Sequence, residues 1–458
     1  MGKIKYVMRV TAFLLIASSC MMCSKNDIKT EAQRNAKKIA LVSGETPEIV
    51  NNCTYTVMPN EWFVDGTNIP PGSVICIPAG IRGALLLKNF KGTAANPIII
   101  TNKGGRVTLS TTITASYGFK TINCQYFKIM GNGDPATKYG IDVNGGNIGM
   151  TMDDLSSDFE IANVEVRNSG FAGIMAKTDP TCDEETQRGH FIMSNVIIHD
   201  NYVHQTGGEG LYIGNSFYAE GRSLACGTVL PHDVLNVKIY KNITDSTGCE
   251  GIQVGSAIAG AEIYNNTVKS PGLTPFASGQ NNGIQIGEGT GGKCYNNLIK
   301  NAPGNGIIVL GLGDNLVCNN YILNAGAHGI FADSRYTPGL NFQFINNTII
   351  YPALDGIKLN SETIPMNTVL NNVIIIREGG VSVNRKSKYV KVNILRNYVH
   401  SDVNSCRFIN YNAGDFHLQS WSPLINAGTN VLLNGVSMDY YGTARPAGGA
   451  FDVGATEY

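Results

Sequence analysis

"VKIYKNITDSTGCEGIQVGSAIAGAEIYNNTV", residues 237–268, contains one motif twice. An alternating apolar strand runs into Asn242, a second short strand follows, and Gly251 opens a third. "AEIYNNTV" then restarts the cycle at Asn266. The cycle continues in both directions. "GKCYNNLI", "NLVCNNYI", "FQFINNTI" and "TVLNNVII" bring Asn297, Asn320, Asn347 and Asn372 into the same register, with Asn201 before them and Asn397 after. Most steps are 23 to 27 residues. A second mark, Gly followed by alternation, recurs at Gly173, Gly210, Gly251, Gly283, Gly306, Gly329 and Gly356.

A period near 24 with three short strands per cycle predicts an all-β chain folded as a right-handed parallel β-helix. Each coil would pair with the next at about 4.8 Å, so equivalent residues stack. Asn suits the tight turn, because it tolerates the left-handed conformation and its amide can bond the neighbouring coil's amide. Ile174, Leu211, Ile252, Ile284, Ile307, Ile330 and Ile357 form one expected interior stack. Ala176, Ile213, Val254, Ile286, Val309, Ala332 and Leu359 form the second. A leucine-rich horseshoe would need a Leu consensus that is absent, and a propeller would need blades of about 40 residues.

The 458 residues carry 35 basic and 35 acidic side chains. A nucleic-acid partner would need a basic face, which this balance argues against. Fifty-three glycines and only 15% charged residues favour a turn-rich β protein over a helical one. Lys3, Lys5 and Arg9 precede an apolar run at 11–17 and small residues before Cys20. This head, residues 1–19, reads as an export signal. It resembles a bacterial lipoprotein signal, which implies lipidation at Cys20; Met22 makes Cys23 a poorer cleavage point. A plain secretory signal is the alternative. Residues 20–45 read as a tether to an outer membrane or cell surface, residues 46–413 as the β-helix, and residues 414–458 as a closing cap. The chain is expected to work as a monomer, touching a membrane only through the anchor.

Nine cysteines follow Cys23 in a compartment that permits disulfides, and the odd count leaves at least one free. Cys294 and Cys318 read as buried thiols. Two insertions, 178–190 and 216–233, follow the same strand in successive coils. They should lie side by side, which makes Cys182 and Cys226 candidates for a disulfide. Long loops beside one solenoid face usually border its binding groove.

Alternation predicts three outward columns on that face. The residue before each glycine gives Tyr139, Ala172, Glu209, Glu250, Asn282, Asn305, His328 and Asp355. Two after the glycine come Asp142, Met175, Tyr212, Gln253, Gln285, Ile308, Phe331 and Lys358. A third column runs through Lys177 and Gly214, Gly255 and Gly287, whose small size leaves room for a ligand. Gln253, Gln285, Asn305, Phe331, Asp355 and, in the loop beyond, Arg335 are the expected substrate contacts.

Glu209 and Glu250 then lie on adjacent coils, where two carboxylates repel unless they share a proton or hold a cation. With Asn282 as a third oxygen they would suit Ca²⁺. Without a metal, their spacing matches a retaining glycosidase pair. Two solvated glutamates pairing with Lys177 or Arg222 is the plain alternative. Tyr212 shares the face as a proton donor or a sugar platform. His328, with Asp355 to orient it and Lys358 nearby, is a second proton-carrying candidate.

The C-terminal "DFHLQSWSPLINAGTN" and "DYYGTARPAGGAFDVGATEY" resemble the closing segment of secreted bacterial β-helix proteins. Phe416, Ser422, Pro423, Asn426, Arg445, Pro446, Asp452, Gly454 and Glu457 carry the match. The architecture resembles that of polysaccharide lyases, polysaccharide epimerases and some glycoside hydrolases. The lyase resemblance implies a Ca²⁺ held by Glu209, Glu250 and Asn282, with Lys177 or Lys358 as base and Arg222 or Arg335 assisting. Three functions follow: β-elimination of a uronic-acid polysaccharide, the leading reading; retaining hydrolysis by Glu209 and Glu250; and glycan binding without catalysis.

Overall fold

The computed structural model describes residues 52–335 and 339–458. The export signal, Cys20 and the tether fall outside the described residues. The described chain is a right-handed parallel β-helix of three strand faces. One face is a 12-stranded sheet running from Phe63–Asp65 to Val383–Arg385. The other two faces join into one 23-stranded sheet, because the first coils are irregular. Ile98–Ser110 runs through both without a break, pairing with Gln125–Met130 along its first half and Ile141–Asn144 along its second.

The expected interior stacks are the interior. Ile174, Leu211, Ile252, Ile284, Ile307, Ile330 and Ile357 are fully buried, in register from coil to coil. The glycine column is steric. A Cβ on Gly306 would lie 2.2 Å from Ile322 and 2.7 Å from the carbonyl of Gly329.

The asparagine column divides its labour differently from the expectation. The left-handed residue of each turn is the one before the aligned Asn: Lys241, Asn265, Asn296, Asn319, Asn346 and Asn371. The aligned Asn carries the ladder. Asn242 Nδ2 donates to Asn266 Oδ1 at 3.1 Å, Asn266 to Asn297 at 3.0 Å, and Asn297 to Asn320 at 2.9 Å. Each amide also donates to an interior carbonyl, as Asn320 Nδ2 does to Cys294 O. This satisfies polar backbone that would be orphaned inside the turn.

Residues 414–458 do not close the end of the solenoid. They lie along its side. Phe416, Leu418, Leu424, Val453 and Ala455 pack on Tyr321, Ile350 and Val373, and Val431, Val436 and Phe451 pack on Leu316, Ile345 and Leu370. Outward apolar residues on these coils require a cover, and the segment supplies it. Its chain is held by asparagines of the turn row: Asn319 Nδ2 donates to Met438 O and Asn346 Nδ2 to Asp452 O. Arg445 is fully buried in an ion pair with Glu457 and bonds Asn319 Oδ1 at 3.0 Å, a structural role.

Candidate functional site

Leu211–Ile213 and Ile252–Val254 are adjacent strands of the 12-stranded sheet, with Leu211 paired to Ile252 and Tyr212 to Gln253. Glu209 and Glu250 occupy the same point of the turns that enter these strands, one coil apart. Their setting differs from the expected open strip. Glu209 is 2% exposed, and Glu250 and Asn282 are fully buried. Alternation decides which side of a sheet a residue faces; it does not decide what lies over that side. Here the cover is a third insertion between Thr267–Lys269 and Ile284–Ile286, which the sequence reading passed over. Gly272, Leu273 and Thr274 donate to the carbonyls of Cys249, Thr247 and Gly248, and Phe276 packs on Phe171 at 5.7 Å. Its signal was the 31-residue step from Asn266 to Asn297 against 24 from Asn242 to Asn266.

The first coils also enter the strip differently. Ile141–Asn144 belongs to the other sheet, so Tyr139 and Asp142 are not in these columns. Ile148–Asp153 pairs with Ile174–Ala176 and places Thr151 beside Met175.

Within the covered turn, Glu209, Cys249 and Glu250 bring one ligand-type atom each to within 4.8 Å of one another. Cys249 is a free, buried thiol missed in the sequence, although it directly precedes Glu250. The Oε2 atoms of Glu209 and Glu250 are buried and have no hydrogen-bond partner among the described residues. Glu250 Oε1 accepts from Asn282 Nδ2 at 2.9 Å. Burial, opposed by that bond and helped by the Glu209 charge, pushes the Glu250 carboxyl up to about 7. Burial raises Glu209 too, with the Lys177 charge opposing, and pushes the Cys249 thiol up to about 11.

Lys177 reaches the same corner. Its Nζ lies 4.9 Å over the Tyr212 ring and 2.8 Å from Asp179 Oδ1. Burial works against its charge, but Tyr212 and Asp179 outweigh burial and the pKa ends raised. Tyr212 bonds Ser216 Oγ at 2.8 Å, and burial raises its pKa. Arg222 is exposed on the hairpin Arg222–Leu224/Gly227–Val229.

The two expected halves of the strip form one column. Asn282 Oδ1 accepts from the backbone and side chain of Asn305 at 3.0 and 2.8 Å. Asn305 Oδ1 accepts from the His328 N–H, and His328 Nδ1 lies 3.2 Å from Asp355 Oδ2. Asn384 bonds Asp355 and accepts from Lys358 Nζ, which closes that network on itself. Burial lowers the His328 pKa, with Asp355 opposing and Lys358 adding. Phe331 lies 6.0 Å from the His328 ring.

The same coils border a cavity of about 220 Å³ that the acids themselves do not line. Ser216, Gln253, Gln280, Gln285, Glu288 and Arg335 line it, with the 278–280 segment as one wall. Gln285 donates to Gln253 at 2.9 Å. Arg335 lies 3.6 Å from Glu288, a further carboxylate that the sequence reading missed. The two insertions meet at the rim. Cys182 and Cys226 are joined by a disulfide, and Arg188 donates to the Tyr218 and Pro231 carbonyls.

The donor set does not fit the expected Ca²⁺ site. Asn282 gives its oxygen to Asn305 and its N–H to Glu250, so it offers no third oxygen. The third donor at the pair is a thiol, which a hard, oxygen-seeking cation disfavours.

Residues 232–399 match the family model for a right handed beta helix region. No curated protein matches the sequence. Among solved structures, pectate lyase Pel9A is similar at 16% identity and a TM-score of 0.41, over 89% of this chain and 97% of that one. XylC in complex with xylose is similar at 10% identity and 0.46, over 84% and 93%. The GH136 lacto-N-biosidase from Eubacterium ramulus is similar at 12% identity and 0.40, over 82% and 70%. At these identities the likeness concerns the fold alone.

Proposed function

We propose that the chain is an exported polysaccharide-active enzyme that hydrolyses a glycan with retention of configuration, using Glu250 as general acid and Glu209 as nucleophile. The carrying observation is the pair itself: two buried carboxyls within 4.8 Å, each with an oxygen unpartnered among the described residues, on coils whose Ser216 and Gln253 line a cavity. A separation near 5 Å suits one carboxyl protonating the leaving oxygen while the other attacks the anomeric carbon from the opposite face, breaking the glycosidic bond as the glycosyl-enzyme bond forms. Their surroundings set the roles apart. Glu250, its carboxyl pushed up by burial to about 7, keeps a protonated fraction near neutral pH that can donate to the leaving oxygen. Glu209 has the Lys177 charge to favour its carboxylate form. Gln253, Gln285 and Ser216 offer the amide and hydroxyl contacts that sugar hydroxyls take. Arg335, the one cation lining the cleft among the described residues, faces Glu288, so a neutral glycan suits it better than a uronate. Substrate reaches the acids once the 271–281 segment lifts. Export and lipidation at Cys20 belong to the same proposal and are tested by metabolic labelling with a fatty acid.

The second reading is β-elimination, favoured by Lys177 lying over Tyr212. Its base must be neutral, whereas Lys177 is held charged by Asp179. Incubation with neutral and acidic polysaccharides, read for both reducing ends and ultraviolet-absorbing unsaturated ends, separates the two. Reducing ends without unsaturation are expected. Unsaturated ends would replace hydrolysis with elimination. Glycan binding without product, surviving loss of both glutamates, would leave a binding protein.

A further inference from the structure

The mismatch with Ca²⁺ has a positive side. Glu209, Cys249 and Glu250 converge at one buried point, and the two Oε2 atoms there have no partner among the described residues. Buried polar atoms are almost always paired, and an unpaired carboxylate oxygen is costly. A water molecule would need two to four polar partners and leaves two acids facing each other. A divalent cation satisfies both oxygens at once and offsets the like charge.

The thiol selects which cation. Thiolate and carboxylate together suit a borderline-soft ion of the Zn²⁺ class. A tetrahedral ion with bonds of about 2.0–2.3 Å holds its ligands about 3.5 Å apart, within reach of atoms already inside 4.8 Å. The Cys249 sulfur faces the Phe276 backbone N–H, a donor that a bound thiolate can keep, and the residue is otherwise held through its backbone. Its N–H donates to Gly208 O, and its carbonyl accepts from Gly272 N–H and Thr247 Oγ1. The sulfur itself sits in no disulfide. Three protein ligands leave a fourth position for water.

We propose that Glu209, Cys249 and Glu250 bind one thiophilic divalent cation, and that the cation and glycan hydrolysis exclude each other because the ion takes both carboxylates. The exclusion rests on the hydrolase reading; the binding does not. Ligation replaces the thiol proton, so binding releases a proton and strengthens as pH rises. Cys249 touches no substrate in the proposed reaction, and zinc inhibition of its variant is read against that variant's own uninhibited rate.

The test titrates chelator-treated full-length protein with Co²⁺ and follows the thiolate-to-cobalt charge-transfer absorption. One equivalent with that band is expected, with Zn²⁺ displacing it and Ca²⁺ failing to at a hundredfold excess. Cys249→Ala should abolish the band, and Glu209→Gln should weaken binding at least tenfold, with circular dichroism confirming the fold of each. No band, or cation binding indifferent to Cys249→Ala, overturns the site. Zn²⁺ should inhibit hydrolysis in the wild type and at least tenfold less in Cys249→Ala. Hydrolysis unaffected by saturating Zn²⁺ overturns the exclusion while leaving the site intact. If no polymer is hydrolysed, the cobalt titration still decides the site, so the two failures are distinguishable.

Discussion

Asn282 turns its Nδ2 to Glu250 Oε1, 2.9 Å away, and its Oδ1 to the backbone N–H of Asn305, 3.0 Å away. A backbone N–H can only donate, so the amide's orientation is set by the next coil. Glu250 therefore receives a donor, which favours its charged form and partly offsets burial. Asn282→Ala removes that donor and should raise the Glu250 pKa further. Activity that depends on protonated Glu250 falls as pH rises through about 7, and in the variant this limb should move to higher pH. A pH–rate profile measures it, and an unmoved limb would remove Glu250 from the acid role.

Glu250→Gln and Glu209→Gln should each lower hydrolysis by about 10²–10⁴-fold, the usual contribution of a positioned acid or nucleophile. Neither should lower the melting temperature, because each replaces a buried carboxyl that has an orphaned oxygen. Product assays beside thermal melts check both. A variant that loses activity and stability together would mark the pair as structural.

Phe276 is 59% exposed, yet its ring packs on Phe171 over the acid pair. Phe276→Ala should loosen the cover without touching the acids. Amide exchange across 271–281 should quicken at least tenfold, and exchange in the Ile252–Val254 strand should not. Equal exchange in both proteins would show that other contacts hold this segment.

His232 is fully buried, accepting the Thr178 N–H at Nε2 and facing Asp233 O through Nδ1, at the root of the insertions. Burial depresses its pKa to about 4. The folded state then binds fewer protons than the unfolded chain between about 4 and 6.5, so this contribution is present above 6.5 and lost as pH falls, roughly 3 kcal/mol in all. Glu250 acts in the opposite sense. Its raised pKa adds stability that is full below about 4.5 and lost as pH rises through 7. Denaturant midpoints from pH 4 to 8 in chelator should steepen in Glu250→Gln, which removes the opposing contribution, and flatten in His232→Asn. The reverse pattern would contradict both assignments.

Asn320 Oδ1 accepts from the backbone and side chain of Asn297, and its Nδ2 bonds Cys294 O and Asn347 Oδ1. Asn320→Ala leaves buried groups on two coils unpaired and should cost roughly 2–4 kcal/mol. Urea unfolding measures it. A cost under about 1 kcal/mol would mean that water replaces the amide.

The repeat was open to reading because coils stack. A residue needed once is needed at every coil, so Asn242 and its successors, and Gly251 and its successors, announce themselves by recurrence. The inward columns follow from the same period and the alternation of strands. The acid pair was visible as well, since Glu209 and Glu250 share a register position. Their surroundings were not. Covering depends on the 271–281 segment, whose path follows no period.

By itself the sequence determined the solenoid, its interior columns and the adjacency of Glu209 and Glu250, because periodic packing writes itself into periodic residues. Only the tertiary structure decided that the pair is dry and that Cys249 joins it. It also decided that Asn282 presents an N–H to Glu250, and that residues 414–458 lie along the coils instead of over their end. Those outcomes turn on side-chain direction and on which loop lies over which strand. Both arise from contacts between segments far apart in the chain, which no local pattern records.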